Sequence, residues 1–145
     1  MPLAALLLAG CSTPAVPVAV PSPAAEVAAV CERLVAAMPD RVLDAEARET
    51  TPDSPLTAAW GDPPIEATCG VAAPAEMARA QSQCFEVNGV GWFAAPAGNG
   101  VVFTTIGRKV YVEVAVPHRY APEANALTDL SGAISQHDPV ITPCI

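Results

Sequence analysis

The sequence predicts an α+β domain: a small antiparallel sheet of about four strands in a meander, covered by an N-terminal and a C-terminal helix and stapled by two disulfides. Three observations carry this expectation. An apolar stripe of period 3.6 runs from Val27 to Met38, alternating valine-rich segments separated by glycine turns run from Phe85 to Pro117, and four cysteines remain once Cys11 is set aside.

The chain starts with a short apolar run, Leu3 to Ala9, that meets Gly10 and Cys11. Leu8-Ala9-Gly10-Cys11 resembles the lipobox of bacterial lipoproteins, and the run is far shorter than the ~20 apolar residues of a membrane-spanning helix. Residues 1–10 are therefore expected to be a signal peptide and Cys11 the acylated end of the mature chain, on the outer side of the cell membrane. Residues 11–23 contain Pro14, Pro17, Pro21 and Pro23 among small residues. That composition favours polyproline II, and it is expected to act as a tether holding the domain roughly 35–40 Å from the lipid.

A single domain is expected over residues 24–145. In the first helix Val27, Val30, Cys31, Leu34, Val35 and Met38 share one face, with Ser22 as cap, Pro23 in the first turn and Pro39 as terminator. From Asp40 to Ala59 the periodicity is lost, and a surface excursion is expected. Trp60-Gly61-Asp62-Pro63-Pro64 reads as a sharp turn into a strand in which Ile65, Ala67 and Cys69 alternate with Glu66 and Thr68. A loop or short helix follows over residues 75–83.

The meander comes next. Asn88-Gly89 joins the first two strands, Gly98-Asn99-Gly100 the second and third, and Gly107-Arg108 the third and fourth. Val110, Val112, Val114 and Val116 point to one face, which the last helix, about residues 122–136, covers with Leu127, Leu130 and Ile134. The tail ending in Cys144 would fray unless stapled.

Seven Lys and Arg against fifteen Asp and Glu give a net charge of −8, so nucleic acid is excluded as a partner. A mean hydropathy of +0.35 with 5% aromatic residues implies a packed core of Val, Ala, Leu and Ile. Cys31, Cys69, Cys84 and Cys144 contain no C-x-x-C pair, and an even number in a small exported domain reads as two disulfides rather than a zinc site. Three pairings are open; the expected one is Cys69 with Cys84 in the sheet and Cys31 with Cys144 between tail and helix.

Few residues point to chemistry. His118 and His137 fall at element ends without a third metal ligand, and no metal or other cofactor is expected. No Gly-x-Ser-x-Gly elbow occurs, and the Gly89-Val90-Gly91 and Gly98-Asn99-Gly100 runs lack the helix and lysine of a phosphate loop. Asp44, Glu46, Asp62, Glu66 and Glu113 are acids that a carboxylate hydrolase would need to bring together. Trp92 alternates with Val90 and belongs in the core. Trp60, ahead of a turn, suits either a core plug or a recognition surface, and Arg108 either a carboxylate ligand or solvent.

The lipobox, Trp60-Gly61-Asp62-Pro63-Pro64, Cys69-Gly70-Val71, Cys84 with Val87-Asn88-Gly89-Val90 and Trp92, Gly107-Arg108, Val116-Pro117 with Tyr120, and Cys144 together resemble an actinobacterial secreted and lipid-anchored family, domain of unknown function 3515 (DUF3515). The resemblance covers nearly all of the chain from Cys31 to Cys144. It implies an envelope location and paired cysteines, and carries no catalytic residue over. The expected function is a non-enzymatic accessory or binding module, attached to the membrane by its lipid and meeting an envelope protein or a cell-wall component. The alternative is a small-molecule or wall-fragment binder with Trp60, Asp62 and Arg108 around one groove, and the last a carboxylate hydrolase.

Overall fold

A computed structural model describes residues 13–79 and 83–144. The expected signal peptide and the Cys11 lipidation site lie outside the described residues. The elements are β1 (Val16–Pro17), α1 (Ala25–Ala36), β2 (Arg41–Val42), β3 (Ala45–Arg48), β4 (Thr50–Thr51), β5 (Thr57–Trp60), β6 (Ile65–Cys69), β7 (Phe85–Val87), β8 (Val90–Ala97), β9 (Gly100–Thr105), β10 (Val112–Pro117) and α2 (Asn125–His137).

Valine alternation builds the middle of the sheet. Val110, Val112, Val114 and Val116 are all at most 2% exposed, and they face α1 and α2, which pack on each other and on the sheet. Val30, Cys31 and Leu34 of α1 and Leu127, Leu130 and Ile134 of α2 complete this core, each large aliphatic side chain contributing about 1.5–3 kcal/mol by leaving water. The class is α+β as expected, and the β7–β10 meander forms with Asn88 and Gly89 both at positive φ (46° and 82°), the backbone of a type I′ hairpin turn.

The sheet has eight strands rather than four, in the order β2-β3-β5-β6-β10-β9-β8-β7, every adjacent pair antiparallel. The excess comes from Arg41–Trp60, expected as a surface excursion. β2 and β3 form an edge hairpin in which Val42 is buried in the core while Arg41, Glu46 and Ala47 are exposed, so no alternation of apolar residues is there to read.

Other local expectations shift. α1 begins at Ala25 with no side-chain cap, so Ser22 does not serve there; Pro23 instead lies against Gly70. The helix ends at Ala36, two residues before Met38, and α2 starts at Asn125. The 3-10 turn Ala75–Ala78 lies inside the expected loop or short helix.

Both disulfides are present, with a different pairing. Cys31 bonds Cys69 and Cys84 bonds Cys144, at Cα separations of 5.4 and 5.8 Å. The expected Cys69–Cys84 bond fails on strand order: β10, β9 and β8 stand between β6 and β7, which is about 19 Å at the usual strand spacing, well beyond the ~7 Å a disulfide tolerates. Cys31 on the inner face of α1 instead meets Cys69 at the end of β6, against which α1 packs.

The proline-rich stretch is not a free tether over its described part. β1 pairs in parallel with β4, and Val16 and Val18 are buried with Ala59. Ala59 alternates with Ala58 and Trp60, which belong to the helix-side core, so this contact lies on the reverse face of the sheet. A polyproline strand suits that position, because an edge strand can spare the amide that Pro17 lacks.

Candidate functional site

The β9–β10 connection is the junction on which the tail is laid. Gly107 adopts φ +76°, and its carbonyl accepts hydrogen bonds from the amides of Ile141 (2.7 Å) and Thr142 (2.9 Å). A Cβ at this position would overlap the Thr142 carbonyl, so glycine is required both by conformation and by space. The Lys109 amide adds a bond to the Pro139 carbonyl at 3.0 Å, and Arg108 and Val140 form an antiparallel bridge.

Arg108 draws three segments together. The residue is only 7% exposed, with Nη1 donating to the Asp138 carbonyl (2.6 Å) and Nη2 to the Gly89 carbonyl (2.9 Å). Asp138 is fully buried. One carboxylate oxygen accepts from the Val110 amide at 3.1 Å and the other has no partner among the described residues. Burial pushes this carboxyl up to about 6, opposed by the Val110 amide, the Arg108 charge, the Lys109 amide and the Lys109 charge.

Above this junction lies a cleft of about 620 Å³ between Met77, Tyr111, Ile106, the tail at Ile141 to Pro143, and the Cys84–Cys144 disulfide. A smaller recess of about 210 Å³, bordered by Glu86, Gly89 and Val140, lies beside it and shares Arg108 and Cys144. Val140 and Ile141 are 54% and 69% exposed, so large apolar side chains stand in water at the rim of both hollows. The size and apolar lining suit a small amphipathic ligand or an inserted side-chain cluster.

The residues singled out from sequence do not meet. Trp60 is 1% exposed and its Nε1 donates to the Pro39 carbonyl at 2.9 Å, which makes it a core plug and not a recognition surface. Asp62 is exposed in the following turn, which Tyr120 fastens by donating to the Pro63 carbonyl at 2.7 Å. Trp60 pairs with Ile65 at one end of β6, whereas the start of β10, next to Arg108, pairs with Cys69 at the other, some ~13 Å along the strand. The expected Trp60–Asp62–Arg108 groove is therefore not formed, and Arg108 is a buried tie rather than a solvated turn residue. Trp92 is fully buried, as expected.

The acids are likewise dispersed. Asp44 and Glu46 sit at the β2–β3 hairpin, Glu46 paired with Arg41 at 2.9 Å, and only Glu66 and Glu113 occupy adjacent strands on one face, a diagonal pair. Partial burial raises the Glu66 carboxyl. His118 pairs with Glu123 at 2.8 Å, and that hydrogen bond holds the Glu123 carboxyl low. Among the described residues no group of three or more His, Cys, Asp or Glu stands ready to hold a metal, and no helix is long and apolar enough to cross a membrane.

Sequence reasoning missed Met77, Tyr111 and Ile141 as cleft residues. Tyr111 carried a signal, since its alternation with the buried valines sends it to the opposite face. Met77 and Ile141 carried none, because their neighbours come from distant segments.

No curated protein and no solved structure matches this chain. A family model described as protein of unknown function (DUF3515) matches residues 3–141, and the chain belongs to that family.

Proposed function

We propose that this chain is a non-enzymatic binding module of the bacterial envelope, anchored by acylated Cys11 on the outer face of the cell membrane, and that its cleft beside Cys84–Cys144 takes an apolar or amphipathic part of another envelope component. The observation that carries the reading is the cleft itself: about 620 Å³, apolar on most sides, with Ile141 exposed at its rim on a tail that a disulfide holds in place. A concave hollow lined mostly by apolar side chains is the usual form of a ligand or side-chain docking site. The lipobox at Leu8–Cys11 supports the location.

A photo-crosslinking amino acid at position 141 of the full chain, activated on living cells, tests the binding reading. One discrete adduct that disappears when Tyr111→Asp is added supports it. A smear of adducts equal to that from the same probe at exposed Asp62 defeats it. Cell-wall fragments in a thermal-shift panel address the second reading, a small-molecule binder: a ligand at a hundredfold its dissociation constant adds about 2.7 kcal/mol.

A further inference from the structure

The chain is held to the domain almost from its first described residue. The Val16 amide donates to the Glu49 carbonyl (2.8 Å), the Val18 amide to the Thr51 carbonyl (3.1 Å), and Arg48 Nη2 to the Pro14 carbonyl (2.6 Å). Val16 and Val18 are 2% and 8% exposed. Only three virtual bonds separate the Cα atoms of Cys11 and Pro14, which is at most ~11 Å of chain.

We infer that the domain lies flush on the lipid bilayer, seated through the band Thr13–Ser22, and does not stand off on a leash; this rests on the acylation of Cys11 proposed above. The chemistry of the band suits a bilayer surface. In a chain of net charge −8, no charged residue occurs between Cys11 and Glu26, and the band exposes Pro14, Pro17, Ala19 and Val20. An uncharged, apolar strip at the anchor keeps the acidic remainder from being pressed against anionic headgroups.

The test tethers the full chain through the Cys11 thiol to a maleimide-headgroup lipid in a supported bilayer, and reads the hydrated gap between headgroups and protein by neutron reflectometry. Protein density starting within ~10 Å of the headgroups is expected. A gap of roughly 35–40 Å, the reach of an extended tether, overturns the inference. Inserting ten Gly/Ser residues between Ser12 and Thr13 should widen the gap, because the short reach from Cys11 to Pro14 is what holds the band against the lipid. The double variant Val16→Asp, Val18→Asp should widen it in the same way. Intact mass of the protein from its native host is a separate arm. Failure to find acyl chains there sinks the anchor reading and leaves the measured seating of the band standing.

Discussion

Arg108 and Asp138 are buried side by side, yet the guanidinium bonds the main-chain carbonyl of Asp138 at 2.6 Å and makes no ion pair with its carboxylate. The carboxylate keeps one bond, from the Val110 amide, and leaves an oxygen unpaired among the described residues. Burial thus outweighs the nearby positive charge, and the carboxyl is pushed up from 3.8 to about 6. Between those two pH values the folded protein binds more protons at this group than the unfolded chain, so stability falls as pH rises through the window. Asp138→Asn keeps an acceptor for Val110 and removes the charge. At pH 7 the variant should be more stable than the parent by on the order of 1–2 kcal/mol, and the difference should vanish below pH 4. Thermal unfolding of both proteins at pH 4, 5, 6 and 7 checks this; a constant difference across the series contradicts it.

The two carbonyls that Arg108 satisfies belong to Asp138 and Gly89, far apart in sequence. Arg108→Met fills similar volume and strands both acceptors, at about 1–3 kcal/mol for each one left dry. Arg108→Lys should recover little, because a single ammonium lacks the fork that spans two carbonyls. Urea unfolding should therefore place the Met and Lys variants close together and well below the parent.

Trp60 and Asp62 separate a structural role from a functional one. Trp60→Phe loses the bond to the Pro39 carbonyl and opens space in the core, an expected cost of ~2–4 kcal/mol. Asp62→Ala, at an exposed position, should stay within ~0.5 kcal/mol of the parent. Neither substitution should alter crosslinking from position 141, because both lie at the far end of β6 from the cleft.

What was legible in the sequence was local. Valines at 110, 112, 114 and 116 announce a strand with one buried face, Asn88-Gly89 announces its turn type, and Leu127, Leu130 and Ile134 announce a covering helix, because each pattern is written within a few residues of itself. What was not legible depends on who sits beside whom. β6 pairs with β10 rather than β7, and that one long-range choice reverses the disulfide pairing. Val16 and Val18 look like linker residues until Ala59 and the reach of Arg48 are known. The cleft escaped for the same reason: its walls come from the 3-10 turn, the β9–β10 turn and the tail, and Arg108, the residue that joins them, reads from sequence as an ordinary turn arginine.

The two disulfides should separate on reduction. Loop-closure entropy ranks them almost equally, about 4 kcal/mol for closures of 38 and 60 residues. Their access to solvent differs. Cys31 and Cys69 are fully buried between α1 and β6, whereas Cys84 and Cys144 are half-exposed at the wall of the cleft. A reductant therefore reaches Cys84–Cys144 in the folded protein and reaches Cys31–Cys69 only after wider opening. With a low concentration of dithiothreitol, followed by alkylation and peptide mass mapping, Cys84 and Cys144 should be labelled first while far-ultraviolet circular dichroism stays native. At that stage the tail beyond Val140 retains, among the described residues, the Gly107 carbonyl bonds from Ile141 and Thr142 alone, so the cleft loses its outer wall and crosslinking from position 141 should fall while the fold persists. Simultaneous labelling of all four cysteines would refute this order, and full crosslinking after selective reduction would show that the partner does not need the stapled tail.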